Sequence, residues 1–153
     1  TPVDDYVRLL DRARGGGLDV VMDARVAIHG ADISRRPERH YLGRVFATFA
    51  SMILGMAIYD TQCGAKVFRR TAALVEALEE PFRSRWAFDV EILGRLLTGP
   101  EGRPGIDPRL VREIPLESWH DRPGSKVRAI DMVRVAGELV LIARDVRKRR
   151  ASR

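Results

Sequence analysis

Arg36, His40 and Arg44 recur at intervals of four, so on a helix they share one face. They belong to the run Arg35-Arg36-Pro37-Glu38-Arg39-His40-Tyr41-Leu42-Gly43-Arg44, where Pro37 suits a first helical position. Cations at a helix start oppose the macrodipole, at roughly a few tenths of a kcal/mol per charge. A helix N-terminus with free N–H groups and several arginines is suited to a phosphate. The alternative is a solvated charged face; the adverse position of the charges favours the phosphate reading.

Asp60-Thr61-Gln62-Cys63-Gly64 is a polar turn between two apolar pieces. Asp and Gly there serve as turn residues, while a carboxylate at the end of a strand in an α/β sheet can act on a ligand. Cys63 reads as a packing residue, since no His lies near it in sequence. Trp86-Ala87-Phe88-Asp89-Val90-Glu91 opens a helix, where Asp89 favours the positive end of the dipole. Glu91 follows two positions later, off the face of Asp89, so a paired-carboxylate hydrolase is not indicated. Gly124-Ser125-Lys126 either cradles an anion or caps the last helix through Ser125. There is no Walker motif, no GxGxxG after a strand and no Cys/His cluster with zinc spacing.

The elements that must hold these residues alternate. Thr1-Pro2-Val3-Asp4 starts a helix that Gly15-Gly16-Gly17 ends, and Leu18–Met22 reads as a short buried strand. Residues 27–36 read as a loop, and Pro37 begins a helix to about Leu54. Strand-like pieces follow at 57–59 and 66–68, then helices at 72–79 and 87–97 and a strand at 110–116. The last helix, 127–150, carries Met132, Val135, Ala136, Leu139, Ile142 and Val146 on one face. Asp131, Arg134, Glu138, Asp145 and Lys148 take the other face, and the end is strongly basic. That helix either packs on the domain with cations at its C-terminus or lies on anionic lipid.

The 153 residues fit one domain with a sizeable core. Hydrophobic residues at 45% and charged ones at 31% indicate a folded, soluble composition, and no apolar run approaches bilayer length. The polar start carries no signal peptide, and a single cysteine points to a reducing compartment. The net charge of +6 favours an anionic partner. Nucleic acid is the least favoured, because the basic stretches lack aromatic interleaving and no helix-turn-helix or zinc pattern occurs.

Three segments together carry a resemblance. Asp60-Thr61-Gln62-Cys63-Gly64-Ala65-Lys66-Val67-Phe68, Trp86-Ala87-Phe88-Asp89-Val90-Glu91 and Gly124-Ser125-Lys126, in this order and spacing, resemble family-two glycosyltransferases. The nearest kin are dolichyl-phosphate glucosyltransferases and dolichyl-phosphate mannose synthases. Val21-Met22-Asp23-Ala24-Arg25 is similar to the strand-and-Arg segment before the family's acceptor loop. Gly43 departs from some mannose synthases, which carry a hydroxyl residue there.

The resemblance implies an α/β fold, the C-terminal part of a GT-A (Rossmann-like) glycosyltransferase domain, three-layer α/β/α with a basic C-terminal amphipathic helix. Residues 1–126 would form the acceptor-side half, and 127–153 the helix and tail. The implied enzyme is an inverting transferase moving a hexose from a nucleotide sugar, of UDP-glucose or GDP-mannose type, to a polyprenyl or dolichyl phosphate. Its cofactor would be Mg²⁺ or Mn²⁺, held by an Asp-x-Asp motif that in relatives precedes a Thr-Pro or Ser-Pro like Thr1-Pro2. No Asp-x-Asp occurs in this chain. Metal ligands and most of the nucleotide pocket are therefore expected outside it, and the chain alone is expected to be inactive.

By the same resemblance Arg25, Arg35, Arg36, Arg39 and Arg44 would meet the donor diphosphate and the acceptor phosphate, with Ser125 and Lys126 opposite. Asp60 would stand at the reacting centre, Asp89 and Glu91 would line or buttress the acceptor site, and Gln62, Gly64 and Trp86 would line it. The expected setting is the cytoplasmic face of a membrane, in peripheral contact with anionic lipid. Self-association through an exposed sheet edge is a further expectation. Transfer to a non-phosphate acceptor, or a non-catalytic anion- or membrane-binding role, are the alternatives.

Overall fold

Val20, Val21 and Met22 are almost wholly buried, because the strand that carries them is covered on both faces. In this computed structural model residues 3–26, 32–34, 37–100, 102–120 and 129–152 are described. The strand is β1 (Val20–Ala24), and it follows helix α1 (Val3–Gly16). After β2 (Asp32–Ser34) come α2 (Pro37–Leu54), β3 (Lys66–Phe68) and α3 (Ala72–Ala77). Then follow α4 (Phe88–Thr98), β4 (Val111–Pro115), β5 (Ser118–His120) and α5 (Ala129–Ala151).

β1 is the middle of three strands in the order β3-β1-β4. It runs antiparallel to β3, with Val20 opposite Phe68, and parallel to β4, with Val20 opposite Val111. Side chains alternate across a strand, so Val20 and Met22 enter one cluster with Leu54, Val90, Leu93 and Ile142. Val21 enters another with Leu9, Ala13 and Ala65. α4 is buried from Asp89 to Thr98, as expected of a helix apolar over most of its surface. Thr71 caps α3, its hydroxyl oxygen accepting from the Leu74 N–H at 3.2 Å.

Two sequence expectations need correction, and one open alternative is decided. The stretch 27–36 is not wholly loop: β2 lies in it and pairs in parallel with β5, Ser34 opposite His120. Residues 57–59 form no strand; their backbone is held by side chains, Ser51 Oγ accepting from Ile58 N–H at 3.0 Å and Glu113 accepting from Tyr59 N–H at 2.7 Å. The apolar stripe of the last helix is packed, with Leu139, Ile142 and Val146 in the core. On its polar face Asp145 pairs with Arg83 at 2.8 Å and Glu138 accepts from the Ser84 hydroxyl. Among the described residues no helix is long and apolar enough to cross a membrane.

Candidate functional site

β1 delivers Arg25 from its C-terminal end, where ligands of open α/β sheets gather. The Arg25 guanidinium grips Asp60 in a fork, Nε to Oδ2 at 2.6 Å and Nη2 to Oδ1 at 2.8 Å. The Arg25 backbone N–H adds a third donor to Asp60 Oδ2 at 3.2 Å. Such a planar, doubly bonded pair fixes the guanidinium in one orientation. Trp119 of β5 stands 5.2 Å from the guanidinium carbon, measured to the ring centroid.

Asp60 is held from behind. Glu113 of β4 accepts the Tyr59 and Asp60 N–H groups, both at 2.7 Å. Burial pushes the Glu113 carboxyl above its usual range, against the pull of those two N–H groups. Arg44 of α2 lies 4.2 Å over the Tyr59 ring and donates to the Tyr59 carbonyl at 3.5 Å. Cys63 is completely buried, and burial pushes its thiol up to about 11, so it is a packing residue.

A second ion pair lies beside the first. Lys66 of β3 meets Asp89 of α4 at 3.1 Å, and Gln62 donates to Asp89 at 3.4 Å. Lys66 also donates to the Cys63 carbonyl. Burial raises the Asp89 pKa, Lys66 opposes that shift, and the Asp60 charge adds to it, so the two acids feel one another. Asp89 lines an open groove of about 740 Å³ together with Gln62, Lys66, Phe82, Trp86 and Phe88. Gly64 borders the same groove, and Trp86 is half exposed at its rim.

Glu91 is placed elsewhere. It accepts from the Arg83 and Ser84 N–H groups at 3.0 and 3.2 Å, and from Arg95 Nη2 at 2.7 Å. Arg95 in turn donates to the Ala77, Glu80 and Pro81 carbonyls and stacks 4.8 Å over Phe82. The pair therefore pins the segment that carries Phe82 into the groove wall.

Arg35, Arg36, Ser125 and Lys126 lie outside the described residues; Arg39 lies in the first turn of α2, its side chain also outside them. Sequence reading missed Glu113, Lys66 and Trp119. Glu113 and Lys66 interrupt short apolar strands, which is the one signal that marks them. Among the described residues no three His, Cys, Asp or Glu side chains are grouped to hold a metal ion. Asp60 and Asp89 are engaged by cations, so the described residues do not fit a divalent metal.

Paired acids and cations at the carboxyl end of a strand stand where open α/β sheets bind their ligands. The chain is 38% identical over 113 residues to a dolichyl-phosphate β-glucosyltransferase of Saccharomyces cerevisiae, covering 73% of this chain and 31% of that protein. It is 34% identical over 125 residues to the dolichyl-phosphate β-glucosyltransferase ALG5C of Trichomonas vaginalis, covering 81% and 34% respectively. Both relatives are dolichyl-phosphate glucosyltransferases, the group that the motifs of this chain resemble. It spans about a third of the length of these curated relatives. No family model matches the chain, and no solved structure matches it.

Proposed function

We propose that this chain supplies the acceptor side of an inverting glycosyltransferase that moves a hexose from a nucleotide sugar to a polyprenyl phosphate. The relatives' printed names favour glucose as the sugar and dolichyl phosphate as the lipid. The observation that carries the reading is the fork of Arg25 on Asp60 beside the Lys66–Asp89 pair, which lines an apolar groove. The helices on both faces of β1 support a three-layer GT-A domain completed by further chain.

In this reading an acceptor phosphate oxygen attacks the anomeric carbon, the bond to the donor phosphate breaks, and a nucleoside diphosphate leaves. The second pKa of a phosphate monoester is near 6, so the nucleophile is already ionised at neutral pH and needs no strong base. The work left is to neutralise and orient two anions. Arg25 supplies charge, and Asp60 positions it. Arg35, Arg36, Arg39, Ser125 and Lys126 are assigned to the same anion site by the resemblance of their motifs. Asp89, held by Lys66, would fix the acceptor side, and Gln62, Gly64 and Trp86 would border the first part of the lipid. Glu91 would act only as a buttress. Mg²⁺ or Mn²⁺, if used, would be held by residues outside the described ones.

The test is Asp60→Asn in the complete enzyme, assayed with nucleotide sugar and polyprenyl phosphate. The expected result is a loss of about a hundredfold or more in kcat. A near-normal rate would remove the Arg25–Asp60 fork from the mechanism.

A further inference from the structure

The indole N–H of Trp119 is buried and has no acceptor among the described residues. A buried donor without a partner is costly, so a folded chain that keeps one has a use for it. Several other buried polar atoms in that state have a charged neighbour: those of Asp5, Arg8 and Asp23 lie in one cluster, and that of Asp89 faces Lys66. Trp119 differs from them. An indole nitrogen only donates, and the neighbour found on its ring, Arg25, is a donor as well.

The ring stands 5.2 Å from the Arg25 guanidinium, which the fork on Asp60 holds in one orientation. The face of an indole attracts a cation, whereas its N–H lies in the ring plane. Face and edge are therefore used separately: the face on Arg25, the edge on an acceptor beside it. Backbone pairing of β5 with β2 sets Trp119 opposite Ile33, so the donor is carried by a strand rather than by a free loop. An acceptor that stands next to a guanidinium is best an ionised oxygen, and a bond from N–H to such an oxygen is charge-assisted. The indole is neutral, so it gives that oxygen a direction without adding charge.

We propose that Trp119 is a phosphate-contacting residue of the anion site. Its ring face steadies Arg25, and its indole N–H donates to a phosphate-ester oxygen held beside that guanidinium. The inference rests on the reading of Arg25 as part of an anion site. It adds a donor from β5, at a position that none of the resembling motifs includes.

The test uses Trp86→Phe, which leaves Trp119 as the one tryptophan of the chain. Farnesyl phosphate, farnesol and uridine diphosphate are titrated separately, with the Raman band that reports indole N–H hydrogen bonding as the readout. The expected result is a saturable shift with farnesyl phosphate and none with farnesol. A shift with uridine diphosphate instead would keep the contact and assign it to the donor's phosphate. In the complete enzyme Trp119→Phe keeps an aromatic face on Arg25 and loses the donor. It should raise KM about tenfold for the substrate whose phosphate is met, leave the other KM unchanged, and unfold at the same temperature. Trp119→Leu loses the face as well and should also lower kcat. A band that no phosphate moves, a band that farnesol moves equally, or wild-type KM values in Trp119→Phe would overturn the proposal. The spectra need no turnover, so a normal rate in Asp60→Asn alongside a shifted band would sink the catalytic reading and leave the contact standing.

Discussion

Asp23, next to the site on β1, is completely buried and faces Asp5 and Arg8 of α1, with Arg8 at 3.5 Å. Arg8 also reaches Asp5 at 3.2 Å and Glu117 at 2.9 Å. Burial, and then the Asp5 charge, raise the Asp23 pKa from 3.8 to about 6. Between these values the folded protein holds a proton that the unfolded chain has released. Stability therefore falls as pH rises through that window, and the contribution is gone above about pH 6. Asp23→Asn should flatten the dependence and stabilise the fold at neutral pH by about 2 kcal/mol, since Arg8 keeps its other partners. Urea unfolding at several pH values measures this; an unchanged slope would locate the titration elsewhere. Sequence reading named Asp60, Asp89 and Arg25 as site residues, because their motifs are local. It missed Glu113 and Asp23 behind them, because an acid that interrupts a short apolar strand is the one local mark they carry, and their partners lie on other elements.

Among the elements, α4 and α5 cross closely. A Cβ on Gly94 would come within 2.7 Å of Val146 Cγ2, a branched atom that cannot swing away. Helix propensity alone would make Gly94→Ala favourable by up to about 1 kcal/mol. Overpacking should win, with a net loss of about 1–3 kcal/mol by chemical denaturation. A more stable variant would mean that α5 shifts freely on α4. α2 occupies the range that Pro37 and its apolar spacing predict, whereas β2 and β5 are three residues each, too short for period-two alternation to register. Their existence depends on one another, through parallel pairing of segments more than eighty positions apart.

For the whole molecule, charge and extent decide what it can do alone. No Asp-x-Asp occurs in the chain, and the acids of the site are occupied by Arg25 and Lys66. Calorimetric titration of this chain with UDP-glucose and Mg²⁺ should give no heat at millimolar nucleotide. A clear binding isotherm would show that the nucleotide pocket lies within these residues. Local chemistry was determined by the sequence itself: motif order, helix starts, the net charge of +6 and the resemblance all follow from near neighbours along the chain. Tertiary structure alone decided which apolar stripe is spent on the core and which stays open. α5 and α2 are both apolar enough to pack, and hydrophobic burial is non-directional, so periodicity does not choose between them. The choice came from α4, which packs against both and takes the stripe of α5 and one side of α2, leaving Tyr41, Val45, Phe49 and Met52 outside.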